Sequence, residues 1–303
     1  MIRINSEVTN YLENISKIEY NSKYTIVECN DKKYLLKYKN NKLKEIEEYL
    51  NSIEYDYYVS IINSYDDNIY IYPYYDSYDI SLDDKYEDII NALSILHIKS
   101  CDHVFYNKDE MKVIYDDISS KIDYMMKYYY DLQDYIEELS FPRPALYLLI
   151  NNISKFHELL KCARFNLDTW YKEESFKSIC CLLINNLELD NFIVGEKNYF
   201  INFDNSYRDL FIYDLVNFYK SNYSYENIVK VINKYEKRLG IRNNEYNLFF
   251  SLISIPDKID ITNNNIKDIK MVNERIEYVS KTLKYILEKD EENKKTDKYE
   301  FED

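Results

Sequence analysis

The chain has 303 residues, 46% of them hydrophobic, and a formal net charge of −15, which describes a globular protein with a sizeable core and room for roughly two domains. The acidic balance argues against a nucleic-acid partner, because binding along a phosphate backbone needs clustered Lys and Arg, and it suits cationic small molecules or basic proteins. Only two glycines are present, Gly195 and Gly240, and their separation excludes a Walker loop, a dinucleotide fingerprint and a hydrolase nucleophile elbow, each of which needs neighbouring glycines.

From the start of the chain, residues 23–29 and 33–39 are strand-like and joined by the turn residues Asn30-Asp31-Lys32. Residues 41–53 place Leu43, Ile46, Leu50 and Ile53 at the spacing of an amphipathic helix. Residues 57–63 and 68–74 read as two further strands, ended by Pro73. Beyond it the pattern turns helical over 84–99, 108–139, 145–165 and 169–185, interrupted mainly by Phe141-Pro142-Arg143-Pro144. Residues 191–194 and 199–203 then form a hairpin pattern around Gly195-Glu196-Lys197-Asn198, where the glycine suggests a positive φ. Asp209 is placed to cap an apolar helix over 210–219. The chain is helical again from Tyr225, and residues 288–303 are so heavily charged that a disordered tail is expected.

Other residue counts carry less. The five cysteines lack C-x-x-C spacing and read as reduced thiols, and His97, His103 and His157 show no metal spacing. His97 lies on an apolar helix face with Ile90 and Leu93, as a packing histidine would. The 36 tyrosines fit codons rich in A and T as well as they fit a use for tyrosine. The polar N-terminus and the lack of any run of 18 apolar residues lead us to expect synthesis in the cytoplasm, without an export signal or membrane insertion.

Two segments carry chemistry. CLLINNLELDNFIV spans Cys181 to Val194, and YFINFDNSYRDLFIYDL spans Tyr199 to Leu215. Upstream, YLLKYK presents Lys37 on a strand, and Glu47 shares the apolar helix face of Leu43, Ile46 and Leu50. A charge turned toward a core needs a partner. A Lys37–Glu47 ion pair is one reading; an edge-strand lysine with a glutamate at the margin of the stripe is the other, and Glu45 or Glu48 could serve instead.

Taken together, the order hairpin, helix, two strands, helical insert, polar loop, hairpin and helix resembles the aminoglycoside and choline phosphotransferase superfamily. Within it the helical insert and the F-D-x-x-x-x-D-L-x-x-x-D-L ending, here Phe203-Asp204, Asp209-Leu210 and Asp214-Leu215, are most similar to the CotS-like spore coat proteins. The resemblance implies an α+β, two-lobed protein-kinase-like fold. Its domains would be a small β-rich lobe over residues 1–73, a large helical lobe over 74–287, and the tail.

Against that family the catalytic motifs are degenerate. Ile184, Asn185 and Asn186 stand where H-G-D would be, Asn191 keeps the place of the asparagine, and Asn202 replaces the metal-binding aspartate. An asparagine amide cannot take a proton at neutral pH, and losing a positioned base costs on the order of 10²–10⁴ in rate. Mg²⁺ is usually held through one or two carboxylates, whereas Asn191 and Asn202 offer neutral oxygens. The resemblance assigns Lys37 and Glu47 to nucleotide binding, the loop 21–23 to the phosphates, and Asp209 and Asp214 to bracing the catalytic loop; Asp190 and Asp204 are the acids that could substitute at a metal. The resulting expectation is a pseudokinase-like scaffold of the spore coat that binds no cofactor and partners other coat proteins. Two alternatives stand beside it: an ATP- and Mg²⁺-dependent small-molecule O-phosphotransferase with relocated acids, and a nucleotide-sensing module that retains ATP through Lys37 and the hinge after Pro73.

Overall fold

The computed structural model describes residues 12, 14–20, 24–38, 41–65, 69–185, 187–201, 203–262 and 264–300. Asn186, Asn202 and the expected phosphate loop 21–23 lie outside them, as do the last three residues of the expected tail.

In chain order the elements are β1 (Ile15–Tyr20), β2 (Thr25–Cys29), β3 (Lys32–Tyr38), α1 (Asn41–Ser52), β4 (Asn63–Tyr65), β5 (Ile69–Tyr74), α2 (Leu82–Lys99), β6 (Asp102–Tyr106), α3 (Lys108–Glu137), α4 (Pro144–Ile150) and α5 (Ile153–Lys172). There follow β7 (Phe176–Leu183), a 3-10 turn (Leu189–Asn191), β8 (Phe192–Ile193), β9 (Tyr199–Phe200), β10 (Tyr207–Leu210), α6 (Ile212–Asn222), α7 (Ile228–Leu239), α8 (Asn243–Ile253) and α9 (Asn265–Glu300). The architecture is α+β, with a small antiparallel sheet in one lobe and a large helical lobe. Packing divides the chain into two compact units, Met1–Cys101 with Cys181–Asp209, and Asp102–Cys180 with Leu210–Asp303.

In the first unit five strands form an antiparallel sheet in the order β1-β2-β3-β5-β4. Successive side chains of a strand point to opposite faces. Val27, Cys29, Leu36, Ile69 and Ile71 therefore gather in one cluster with Leu12, while Leu35 and Lys37 line a cavity with Leu43, Ile46 and Leu50 of α1. In the register Leu35 faces Tyr72 and Lys37 faces Tyr70.

The strand expected at 57–63 does not form. After α1 the backbone takes a positive φ at Glu54, and the fully buried Tyr55 donates its hydroxyl to the Ala92 carbonyl of α2 at 3.1 Å. The Tyr57 carbonyl then accepts the Phe200 N–H at 3.0 Å, so this stretch is a pinned connector. β1 was not anticipated, because its side chains are mostly exposed and show no hydrophobic alternation.

In the second unit β6 pairs antiparallel with β7, from Asp102 opposite Cys180 to Tyr106 opposite Phe176. The helix expected over 169–185 thus stops at Lys172, and its second half is a strand. Phe176 and Trp170 are both fully buried and meet edge to face at 5.3 Å, which fixes the change of direction. Asp209 lies in β10 and does not cap α6; the N-cap residue is Phe211, without a side-chain bond. α9 extends to Glu300 and so includes most of the segment for which disorder was expected. Within it Lys289 is held 3.1 Å from Glu236 and lies over the Tyr246 ring.

Tyrosine is a core residue throughout. Tyr55, Tyr129, Tyr199, Tyr219, Tyr235 and Tyr285 are among the largest fully buried side chains. Several end on a partner, as buried phenols require: Tyr129 donates to the Asp257 carbonyl at 2.7 Å, and Tyr219 lies 3.1 Å from the Thr282 hydroxyl. All five cysteines are free. No helix among the described residues is long and apolar enough to cross a membrane.

Gly195 corrects the sequence reading in an instructive way. Among the described glycines only Gly240 has a positive φ; at Gly195 a Cβ would lie 2.4 Å from the Asp76 carbonyl oxygen. Close backbone approach, not turn conformation, requires the glycine there. Gly195→Ala is therefore expected to destabilise the protein by about 1–3 kcal/mol, as overpacking does, read as a lowered thermal midpoint. A midpoint equal to that of the wild type would contradict this packing.

Candidate functional site in the sheet-bearing unit

The sequence-predicted residues Lys37, Glu47, Asn191 and Asp204, together with Asp190, all belong to the first unit. Lys37 is 6% exposed, and an ammonium in that setting needs compensation. Its Nζ lies 3.1 Å from Asp204 Oδ2 and also donates to the Ile201 carbonyl. Glu47 has a different partner: its Oε1 accepts the Ile61 N–H at 2.7 Å. Lys37 and Glu47 line the same cavity, but the lysine's salt bridge goes to Asp204 in place of the expected Glu47. Burial pushes the Glu47 carboxyl up from its ordinary value, opposed by the Ile61 N–H and assisted by the charge of Glu48.

The polar loop follows β7. Asn185 adopts φ 61°, the left-handed region that asparagine tolerates better than most residues. It sits where the resemblance places the glycine of H-G-D, so the loop's shape is accommodated without glycine. The 3-10 turn carries Asp190, which is exposed, and Asn191, which is 5% exposed and whose carbonyl accepts the Ile201 N–H at 2.9 Å. β8 and β9 pair Phe192 with Phe200 and Ile193 with Tyr199. Asn198 closes the hairpin turn by accepting the Gly195 N–H at 3.3 Å and donating to Asp88 at 3.1 Å.

The hairpin also meets the segment leaving β5. Tyr75 donates its backbone N–H to the Tyr199 hydroxyl at 3.2 Å, and the two rings meet edge to face at 5.9 Å. Tyr78 donates to the Val194 carbonyl at 2.7 Å. Tyr199 is fully buried, and burial pushes its phenol well above the usual range. The sequence reading passed over Tyr199. It lay within the strand expected over 199–203, but its partner, 124 positions earlier, is not encoded in any local pattern.

No protein-family model matches the chain, and no curated protein does. Solved structures do. An aminoglycoside phosphotransferase from Alicyclobacillus acidocaldarius is similar at a TM-score of 0.69 with 9% identity, over 95% of this chain and 97% of that one. This is the aminoglycoside phosphotransferase fold. Spectinomycin phosphotransferase, solved as an AMP-bound complex, is similar at a TM-score of 0.57 with 14% identity, over 89% of this chain and 93% of that one. The same enzyme with ADP and spectinomycin gives 0.52 and 13% identity, over 90% and 92%.

Whether a nucleotide and Mg²⁺ suit the residues present is a question of donors. Among the described residues no group of three or more His, Cys, Asp or Glu could hold a metal ion. Asp204 is tied to Lys37, and Asp190 projects from the 3-10 turn into solvent. The Lys37 ammonium is paired with a carboxylate of its own chain, and the Tyr75 N–H after β5 is bonded to the Tyr199 phenol.

The raised Glu47 carboxyl has a consequence for stability. The unfolded chain gives up this proton near the ordinary value of 4.5, so above that pH the folded state holds it more tightly. Stability must then fall as pH climbs from the ordinary toward the raised value. Glu47→Gln keeps an acceptor for the Ile61 N–H and removes that cost. The variant is expected to melt above the wild type at neutral pH and to match it at about pH 4. A pH-independent difference, or a lower midpoint at neutral pH, would contradict the assignment.

Proposed function

We propose that this chain is a catalytically impaired, kinase-fold protein with a structural or scaffolding role, and that its setting is the bacterial spore coat, as the CotS-like ending implies. The observation that carries the reading is the Lys37–Asp204 ion pair: it uses the phosphate-contacting lysine and the nearest acid against each other. The replacements Asn186 and Asn202 support it from the sequence, because neither side chain accepts a proton or carries charge for a metal. Exposed tyrosines such as Tyr20, Tyr38, Tyr124, Tyr135 and Tyr147 suit a surface that packs against other coat proteins, where aromatic rings add contact area at little entropic cost.

The competing reading, a small-molecule phosphotransferase with relocated acids, draws on Asp204 lying beside Lys37, and would need that acid released from the pair. Purified protein incubated with Mg²⁺ and ATP, and with a panel of hydroxylated and amino compounds, is expected to release no product above background. Turnover on the order of 1 s⁻¹ or faster, as ordinary enzymes achieve, would overturn the proposal, and its loss in Asp204→Ala would establish the competing one.

A further inference from the structure

The ladder between β6 and β7 keeps one register to its end, where Asp102 stands opposite Cys180. Further along, Leu182 donates its backbone N–H to the Ser100 hydroxyl at 3.0 Å. Ser100 and Leu182 are the residues that the same register would pair, so the two segments stay abreast through the step between, which is Cys101 and Cys181. Ser100 is itself fixed: its hydroxyl donates to the Leu96 carbonyl at 2.7 Å, and its carbonyl accepts from Arg208 at 3.1 Å. Residues directly opposite one another in an antiparallel pair point to the same face with Cα atoms about 4.5–5.5 Å apart, and a disulfide needs Cα atoms roughly 4.4–6.8 Å apart. The backbone therefore gives these two free thiols the spacing of a disulfide. The pair is also divided in exposure, Cys101 exposed and Cys181 fully buried, because β7 is the central strand of its sheet and β6 an edge strand. A reagent from solution meets Cys101, and Cys181 is reached across the strands. Cys180, next in sequence, points to the opposite face and stands opposite Asp102.

We propose that Cys101 and Cys181 form a reversible thiol-oxidation site, closed to a cross-strand disulfide by a small-molecule disulfide of the glutathione class. Cys101, as its thiolate, attacks one sulfur of the small disulfide; the reagent's S–S bond breaks, its other sulfur takes a proton and leaves as a thiol, and Cys101 carries a mixed disulfide. Cys181 gives up its proton and attacks the Cys101 sulfur, the mixed disulfide breaks, and the second small thiol departs with that proton. Two cysteine sulfurs are oxidised and one small disulfide is reduced to two thiols. The new bond fastens the end of α2 to the strand that runs into the Asn185 loop. It also closes a long stretch of chain, which stabilises the folded state by constraining the unfolded one. The site stands apart from Lys37 and Asp204, and its oxidation does not depend on whether a nucleotide binds.

Oxidised glutathione is the probe, applied to the folded full-length protein, with intact mass, disulfide-linked peptides and thermal midpoint measured before and after. The variants are Cys101→Ser, Cys180→Ser and Cys181→Ala, with Cys181→Val in case the smaller side chain does not fold. The wild type and Cys180→Ser are expected to lose the mass of two hydrogens, to yield a peptide linked through Cys101 and Cys181, and to melt about 5–10 °C higher until dithiothreitol reverses the change. Cys181→Ala or Cys181→Val is expected to stop at a glutathione adduct on Cys101, and Cys101→Ser to form no internal disulfide. A wild type that stops at the adduct, or does not react, would overturn the proposal, because the strands would then not bring the two thiols within reach. A peptide linked through Cys180, or an internal disulfide formed in Cys101→Ser, would overturn it as well, since the bond would then not follow the register.

Discussion

A single buried ammonium organises the first unit. Lys37 leaves β3 on the cavity side of the sheet, where a positive charge without a partner would cost several kcal/mol. Asp204 and the Ile201 carbonyl resolve that cost together, and both come from the segment that follows β9. The bond joins residues 167 positions apart, which ties the sheet to the hairpin. Asp204 is 35% exposed in its side chain, so solvent screens part of the attraction, and the pair serves more to fix geometry than to add stability.

Once the hairpin is held there, its other contacts follow. The Asn191 carbonyl receives the Ile201 N–H, Tyr199 reaches the Tyr75 N–H, and Gly195 admits the Asp76 carbonyl. A backbone group buried without a partner is costly, so both hydrogen bonds favour the observed placement of the hairpin independently of any ligand. The chain thus has the aminoglycoside phosphotransferase fold, with the Lys37 ammonium and the Tyr75 N–H both satisfied from within the chain.

Much of this was legible in the sequence where the signal is local. The β2–β3 hairpin, α1 and the β8–β9 hairpin follow from alternation, helical spacing and turn residues, and the fold class came from the family resemblance that their order carries. What failed was non-local. β7 reads as a continuation of α5, because Phe176–Leu183 is a short apolar run that either period fits; only its pairing with β6 makes it a strand. Lys37 and Asp204 were each singled out, but their pairing depends on a register across the unit that no local pattern encodes. Glu47 was placed correctly on the inner face of α1, and its partner proved to be a main-chain N–H.

The central proposal is that the Lys37–Asp204 pair withholds both groups from a nucleotide and its metal. Calorimetric titration of the wild-type protein with ATP, once with Mg²⁺ and once without, tests it most directly. The account predicts no binding heat in either condition. Saturable, Mg²⁺-dependent binding at micromolar concentrations would contradict it, since that would require Lys37 and an acid to be released to the nucleotide and its metal.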